Sequence, residues 1–200
     1  FFVGENGTGK STLIEAIAVC AGYNAEGGSK NFRFSSRDTT STLHNYLTLV
    51  KGSYEKDGFF LRAESFYNVA TQVDDLGIDL SAYGGKSLHE QSHGECFMSL
   101  VQNRFHGNGL YILDEPEAAL SPLRQLTLLG EMHRLVERNS QFIIATHSPI
   151  LLAYPNAKIY QITDAGIEEV RYEDCEHYKL TKQFLENPNH FFRYLFSNAE

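Results

Sequence analysis

Gly4-Glu5-Asn6-Gly7-Thr8-Gly9-Lys10-Ser11 satisfies the spacing G-x-x-x-x-G-K-[ST] at every fixed position. Gly7 and Gly9 can adopt positive φ without a Cβ clash, so the backbone amides of this loop can converge on an anion. Lys10 would set an ammonium on β- and γ-phosphates and Ser11 would offer a hydroxyl to Mg²⁺. The helix that follows would aim its positive dipole end at the same charge. From ordinary residue frequencies, a chance match within the 200 residues occurs on the order of 1% of the time. The flanks agree with the motif. Phe1-Phe2-Val3 is the end of an apolar strand, and Leu13, Ile14, Ile17 and Ala18 form the stripe of a helix over about 10–21, with Gly22 as its C-cap.

At 42% hydrophobic and 12% aromatic, the chain has material for one well-buried domain over 1–200. No apolar run reaches the roughly 20 residues that span a bilayer, and no basic-then-apolar leader opens the chain. The reading is a cytoplasmic protein. Cys20, Cys96 and Cys175 are far apart and odd in number, which predicts reduced thiols and no zinc site. With 17 basic against 25 acidic residues the net charge is −8, which disfavours generalised nucleic-acid binding. The one dense basic stretch, Arg33-Phe34-Ser35-Ser36-Arg37, reads as a solvated loop. Because the chain opens on Phe1 inside a strand, N-terminal strands of the fold are expected to be missing.

Further along, residues 22–45 read as an irregular excursion rich in Gly, Ser, Asn and Thr. Tyr46–Val50 and Phe59–Ala63, separated by an Asp57-Gly58 turn signal, predict an antiparallel hairpin. A second polar, glycine-punctuated stretch ends near Ser92, where a helix with Cys96, Phe97, Leu100, Val101 and Phe105 begins. Gly109–Leu113 and Gln141–Ala145 are compact apolar runs of the kind buried in parallel sheets. Between them lies a helix over about 121–139, predicted to bury Leu123, Leu126, Leu129, Met132 and Leu135. Lys158–Ile162 and Gly166–Val170 read as two edge strands, and the tail from Glu176 as two helices broken at Asn187-Pro188. Strands alternating with helices indicate an α/β sandwich around a mostly parallel sheet.

Two strand ends carry chemistry. Asp114, after four apolar residues, is placed to hold Mg²⁺ opposite Ser11, and Glu115 one residue on can polarise an attacking water as a general base. His147, after the next strand, would sit on the same rim and donate to a γ-phosphate.

These stretches together, GENGTGKST at 4–12, SHGE at 92–95, LYILDEPEAALS at 110–121 and ATHS at 145–148, resemble the ATP-binding cassette (ABC) ATPase superfamily. Within it the combination is similar to the small stand-alone bacterial ATPases named as AAA family. The resemblance implies a P-loop sandwich with antiparallel edge strands and a helical signature subdomain over 66–106. It assigns nucleotide contacts to Gly4, Asn6, Gly7, Thr8, Gly9, Lys10, Ser11 and Thr12, metal contacts to Ser11 and Asp114, and catalysis to Glu115, His147 and Lys10. The implied ligands are ATP and Mg²⁺. It also implies a homodimer formed on ATP binding, in which Ser92 and Gly94 contact the nucleotide of the other subunit, and an unidentified protein partner. Several positions depart from the superfamily pattern. His93 and Glu95 stand where glycine and glutamine are usual, Ser121 replaces the D-loop aspartate, and Glu64 stands nearest to the Q-loop glutamine. An adenine-stacking aromatic would lie upstream.

The function so implied is an ATP-hydrolysing dimerising switch. Four other functions compete. A non-hydrolysing ATP-gated module is opposed by Glu115, and the nucleotide-binding subunit of a transporter by the altered signature. A DNA-repair type ATPase is opposed by the roughly 80 residues between Thr12 and Ser92, too few for a long coiled coil. A P-loop kinase is opposed by the Asp114-Glu115 and Thr146-His147 pairs.

Overall fold

The computed structural model describes residues 1–30, 41–52, 54–63 and 92–196. Six strands form one sheet: β1 (Phe2–Val3), β2 (Asp57–Arg62), β3 (Gly109–Asp114), β4 (Gln141–Ala145), β5 (Ile159–Thr163) and β6 (Gly166–Val170). Their spatial order is β2-β3-β4-β1-β5-β6. Every neighbouring pair is parallel except β5 and β6, a hairpin on the far edge.

Helices cover both faces, which is why the central strands read as unbroken apolar runs. On one face α1 (Lys10–Ala21) sets Ile14 and Ala18 against Phe60, Ile112 and Ala145. On the other, α2 (His93–Arg104) and α3 (Pro122–Val136) pack Phe97, Leu100, Val101, Leu128, Met132 and Leu135 against Phe59, Leu61, Tyr111 and Leu113. The alternation of Phe59 and Leu61 with Phe60, and of Tyr111 and Leu113 with Ile112, is the two-residue period of a pleated strand with two buried faces. Three shorter helices follow: α4 (Pro149–Leu152), α5 (Glu176–Glu186) and α6 (Pro188–Leu195).

Three expectations are corrected. The hairpin does not form: Thr42–Tyr46 is a 3₁₀ turn, 47–50 is irregular, and β2 pairs in parallel with β3 over its whole length. Asp57 and Gly58 lie inside β2. Asp57 accepts from Arg104, from the Tyr111 hydroxyl and from the His106 amide, at 2.7, 2.8 and 3.2 Å. A Cβ at Gly58 would lie 1.9 Å from Tyr23 Oη and 2.5 Å from Leu110 O, so close packing selects glycine there. On α3, Leu123 and Leu126 are 74% and 55% exposed, while Gln125, Leu128, Met132 and Leu135 are buried. A strict three-residue step drifts by about 60° per step around a 3.6-residue helix, whereas 125, 128, 132 and 135 stay on one side. Finally, β5 is interior, paired to β1 as well as β6, so of these two strands β6 alone lies at an edge.

Among the described residues no helix is long and apolar enough to cross a membrane, and the three cysteines are free. The basic stretch at 33–37, Glu64, and 66–91 of the expected helical subdomain lie outside the described residues.

Candidate functional site

The parallel order brings β1, β4 and β3 side by side with their C-terminal ends on one rim, Phe2 level with Ala145 and Ala145 level with Asp114. The glycine-rich loop leaves β1 and turns into α1. Gly4 has φ +156 and approaches β5 so closely that a Cβ would sit 2.6 Å from Ile162 O. Gly7 and Gly9 hold φ of +84 and +88, with open space where their Cβ atoms would be. Gly9 is the left-handed N-cap of α1. Thr8 donates its hydroxyl to Glu5 O at 2.9 Å, while Asn6 and Thr12 are exposed at the loop and first turn.

Lys10 is 4% exposed and folds back into this loop, donating to Gly4 O at 2.8 Å and Glu5 O at 2.7 Å. Burial pulls its pKa down, against the opposing pull of Glu115, Asp114 and Glu117. Ser11 Oγ donates to Asp114 Oδ1 at 3.2 Å, so the hydroxyl and carboxylate expected to share a metal face each other directly. Asp114, 5% exposed, is also 3.5 Å from Arg62 Nε at the end of β2. Ser11, Arg62, His93, Asp114, Glu115 and Ala118 line a cleft of about 270 Å³ here.

Glu115 has φ +50, the left-handed conformation. With Pro116 next, the chain turns sharply off β3 into a 3₁₀ turn (Pro116–Ala118). That turn swings Glu117 beneath the end of β4, where its carboxylate accepts from the Thr146 hydroxyl at 2.7 Å and the His147 amide at 2.5 Å. Desolvation raises the Glu117 pKa, and Glu115 adds to the rise, although both hydrogen bonds oppose it. His147 sits beside Glu115, with Nε2 3.4 Å from Glu115 Oε1. The pair is outside hydrogen-bonding alignment, leaving Nε2 a buried atom without a hydrogen-bond partner among the described residues. On its other side His147 Nδ1 is 2.6 Å from His177 Nε2, the second residue of α5. Burial lowers the His147 pKa, as does the Lys10 charge, while Glu115 opposes.

Lys10, Ser11, Asp114, Glu115 and His147 thus converge. Ser92 and Gly94 belong to a different feature. Ser92 caps α2 in a capping box with Glu95, and a Cβ on Gly94 would meet Ala119 O at 2.8 Å.

Residues 1–88 match a family model described as "AAA domain", and residues 88–153 match one described as "AAA domain, putative AbiEii toxin, Type IV TA system". The two AAA-domain matches lie end to end over residues 1–153, and the chain has a P-loop ATPase fold with a mostly parallel sheet. It is 22% identical over 206 residues to the Nisin transport ATP-binding protein NisT of Lactococcus lactis subsp. lactis, covering 88% of this chain and 34% of that one. It is also 22% identical over 189 residues to the Macrolide export ATP-binding/permease protein MacB of Neisseria meningitidis serogroup A, covering 82% and 28%. The chain therefore spans about a third of these relatives' length. A solved SMC head domain from Thermotoga maritima is similar at 15% identity and a TM-score of 0.47, over 85% of this chain and 89% of that one.

Sequence reasoning passed over four residues of the rim. Glu117 carried a signal, as the third carboxylate of Asp114-Glu115-Pro116-Glu117. Arg62 and Glu15 pair at 2.9 Å and tie α1 to the end of β2, and a charged residue midway along a helix that is otherwise apolar could have flagged Glu15. His177 carried no signal, because only the docking of α5 brings it to His147.

Proposed function

We propose that this chain binds and hydrolyses MgATP and that ATP closes two copies into a dimer which hydrolysis releases. The observation that carries the reading is the convergence of Lys10, the Ser11–Asp114 pair, Glu115 and His147 on one rim, beside a loop open at Gly7 and Gly9. The fit to a phosphate chain is chemical. Lys10 satisfies its ammonium on two loop carbonyls that an incoming phosphate can replace as acceptor. Among the described residues no group of three or more His, Cys, Asp or Glu could hold a metal unaided. Ser11 and Asp114 would hold a hard cation such as Mg²⁺, which would supply charge neutralisation to the phosphates.

In the proposed reaction Glu115 orients a water and takes its proton as the water oxygen bonds to the γ-phosphorus and the bond to the ADP oxygen breaks. His147 would donate from Nε2 to a γ-phosphate oxygen, and Lys10 would stabilise the charge on the transferred group. The two relatives are an ATP-binding protein and an ATP-binding/permease protein, which supports nucleotide as the ligand. Ser92 and Gly94, at the N-terminus of α2, would contact the nucleotide of the second copy. The test is Lys10→Ala: the affinity for ATP should fall at least tenfold, on the order of a lost charge-assisted hydrogen bond. Unaltered affinity would sink the phosphate-cradle assignment.

A further inference from the structure

The second imidazole at the rim belongs to the C-terminal part of the chain. His177 Nε2 meets His147 Nδ1 at 2.6 Å, and both partners are held from outside the pair. The His147 amide is pinned by Glu117, and the following Ser148 caps α4, accepting from the Ile150 and Leu151 amides. His177 is fixed through Cys175, fully buried in a cluster with Val3, Leu152 and Ile159, and through Tyr172, whose hydroxyl donates to Pro149 O at 3.0 Å. The segment after His147 thus anchors the segment before His177.

We propose that His177 is a positioning residue that holds His147 in its Nε2–H tautomer. The proposal rests on the hydrolytic role given to His147 above. Its logic is a donor and acceptor count. Two neutral imidazole nitrogens in contact need one hydrogen between them. The neighbour of His147 Nε2 is a carboxylate oxygen of Glu115 at 3.4 Å, which can only accept. A lone pair on Nε2 would face lone pairs; a hydrogen there faces negative charge. Nε2 therefore carries the hydrogen, Nδ1 is bare, and His177 Nε2–H donates to it. Burial, which pushes both histidine pKa values down, keeps the pair neutral. The Nε2–H form is the one that can donate to a phosphoryl oxygen, whereas the other tautomer would present a lone pair to it.

The test uses the whole chain labelled with ¹⁵N-histidine, without nucleotide. Long-range ¹H–¹⁵N correlations distinguish the two neutral tautomers, and His147→Gln assigns the resonance. The Nε2–H pattern is expected; the Nδ1–H pattern overturns the proposal, even if no His177 variant folds. In steady-state turnover His177→Ala should lower kcat roughly tenfold with KM for ATP within about twofold, and His177→Gln, which keeps an N–H for Nδ1, should restore most of it. Unchanged kcat in His177→Ala overturns it. A full-rate His147→Ala protein would instead overturn the role of His147 itself, and leaves the tautomer result to be read independently.

Discussion

Glu117 joins the ends of β3 and β4, and its removal has a calculable effect. Glu117→Ala takes away the acceptor of two short bonds, from Thr146 Oγ1 at 2.7 Å and His147 N at 2.5 Å. A hydrogen bond to a charged group contributes about 1.5–3 kcal/mol. The raised pKa of Glu117 records a desolvation cost that these bonds do not fully offset, so the low end applies, and the pair together should be worth about 2–3 kcal/mol. For a domain of this size that lowers Tm by roughly 4–12 °C. Glu117→Gln should behave differently. Its amide oxygen can accept from His147 N–H, and its amide N–H can donate to the Thr146 hydroxyl, which already accepts from Ser148 N at 3.0 Å and has a second lone pair. The pH dependence has a definite sign. Since the folded pKa lies above the ordinary 4.5, protonation favours the folded state, and that contribution is lost as pH rises from 4.5 through the folded pKa. Glu117→Gln lacks the loss, so its stability relative to the unsubstituted protein should rise across that window. Urea unfolding at several pH values measures all three proteins. An alanine variant within about 0.5 kcal/mol of the parent, or a glutamine variant as damaged as alanine, would refute the reasoning.

Two further substitutions probe the scaffold. Gly58→Ala forces a Cβ to 1.9 Å from Tyr23 Oη and 2.5 Å from a backbone oxygen, and should cost about 3 kcal/mol in chemical denaturation. A neutral result would mean that β2 packs less closely against Tyr23 and β3 than described. Ser92→Ala removes the α2 cap and should lower Tm by roughly 2–4 °C in a thermal melt without nucleotide, and no shift would show the capping box to be idle.

The legible and illegible parts of this chain divide by the range of the interactions that decide them. The positive φ of Gly7 and Gly9, the apolar strands before Asp114 and His147, and Gly22 as a cap follow from local patterns, and these stand in the structure as read. The Asp57-Gly58 pair has a strong local meaning as a turn, but Arg104, Tyr111 and His106 gather on Asp57 and the Tyr23 hydroxyl fills the space beside Gly58, so tertiary contacts make it strand. The buried face of α3 was misplaced because Gln125 looks like a surface residue. It is buried by donating to Leu120 O at 3.0 Å and accepting from Ser148 Oγ at 2.5 Å, a satisfaction that composition cannot show. At the candidate site, the residues that converge on one rim were readable from motif spacing. Those that hold them were not: Arg62 lies 52 residues before the Asp114 it approaches, Glu15 lies 47 residues before the Arg62 it accepts from, and His177 lies 30 residues after His147. Glu117 sits within reach of the motif, yet the left-handed turn at Glu115 is what aims it.

Glu115 is the residue on which the proposed turnover depends most directly. With Mg²⁺ and ATP present, Glu115→Gln should retain nucleotide binding, lose hydrolysis by at least about a hundredfold, and accumulate as a dimer in sedimentation velocity that disperses when ATP is withdrawn. Turnover equal to that of the unsubstituted protein, or a species that stays monomeric with ATP bound, would contradict it.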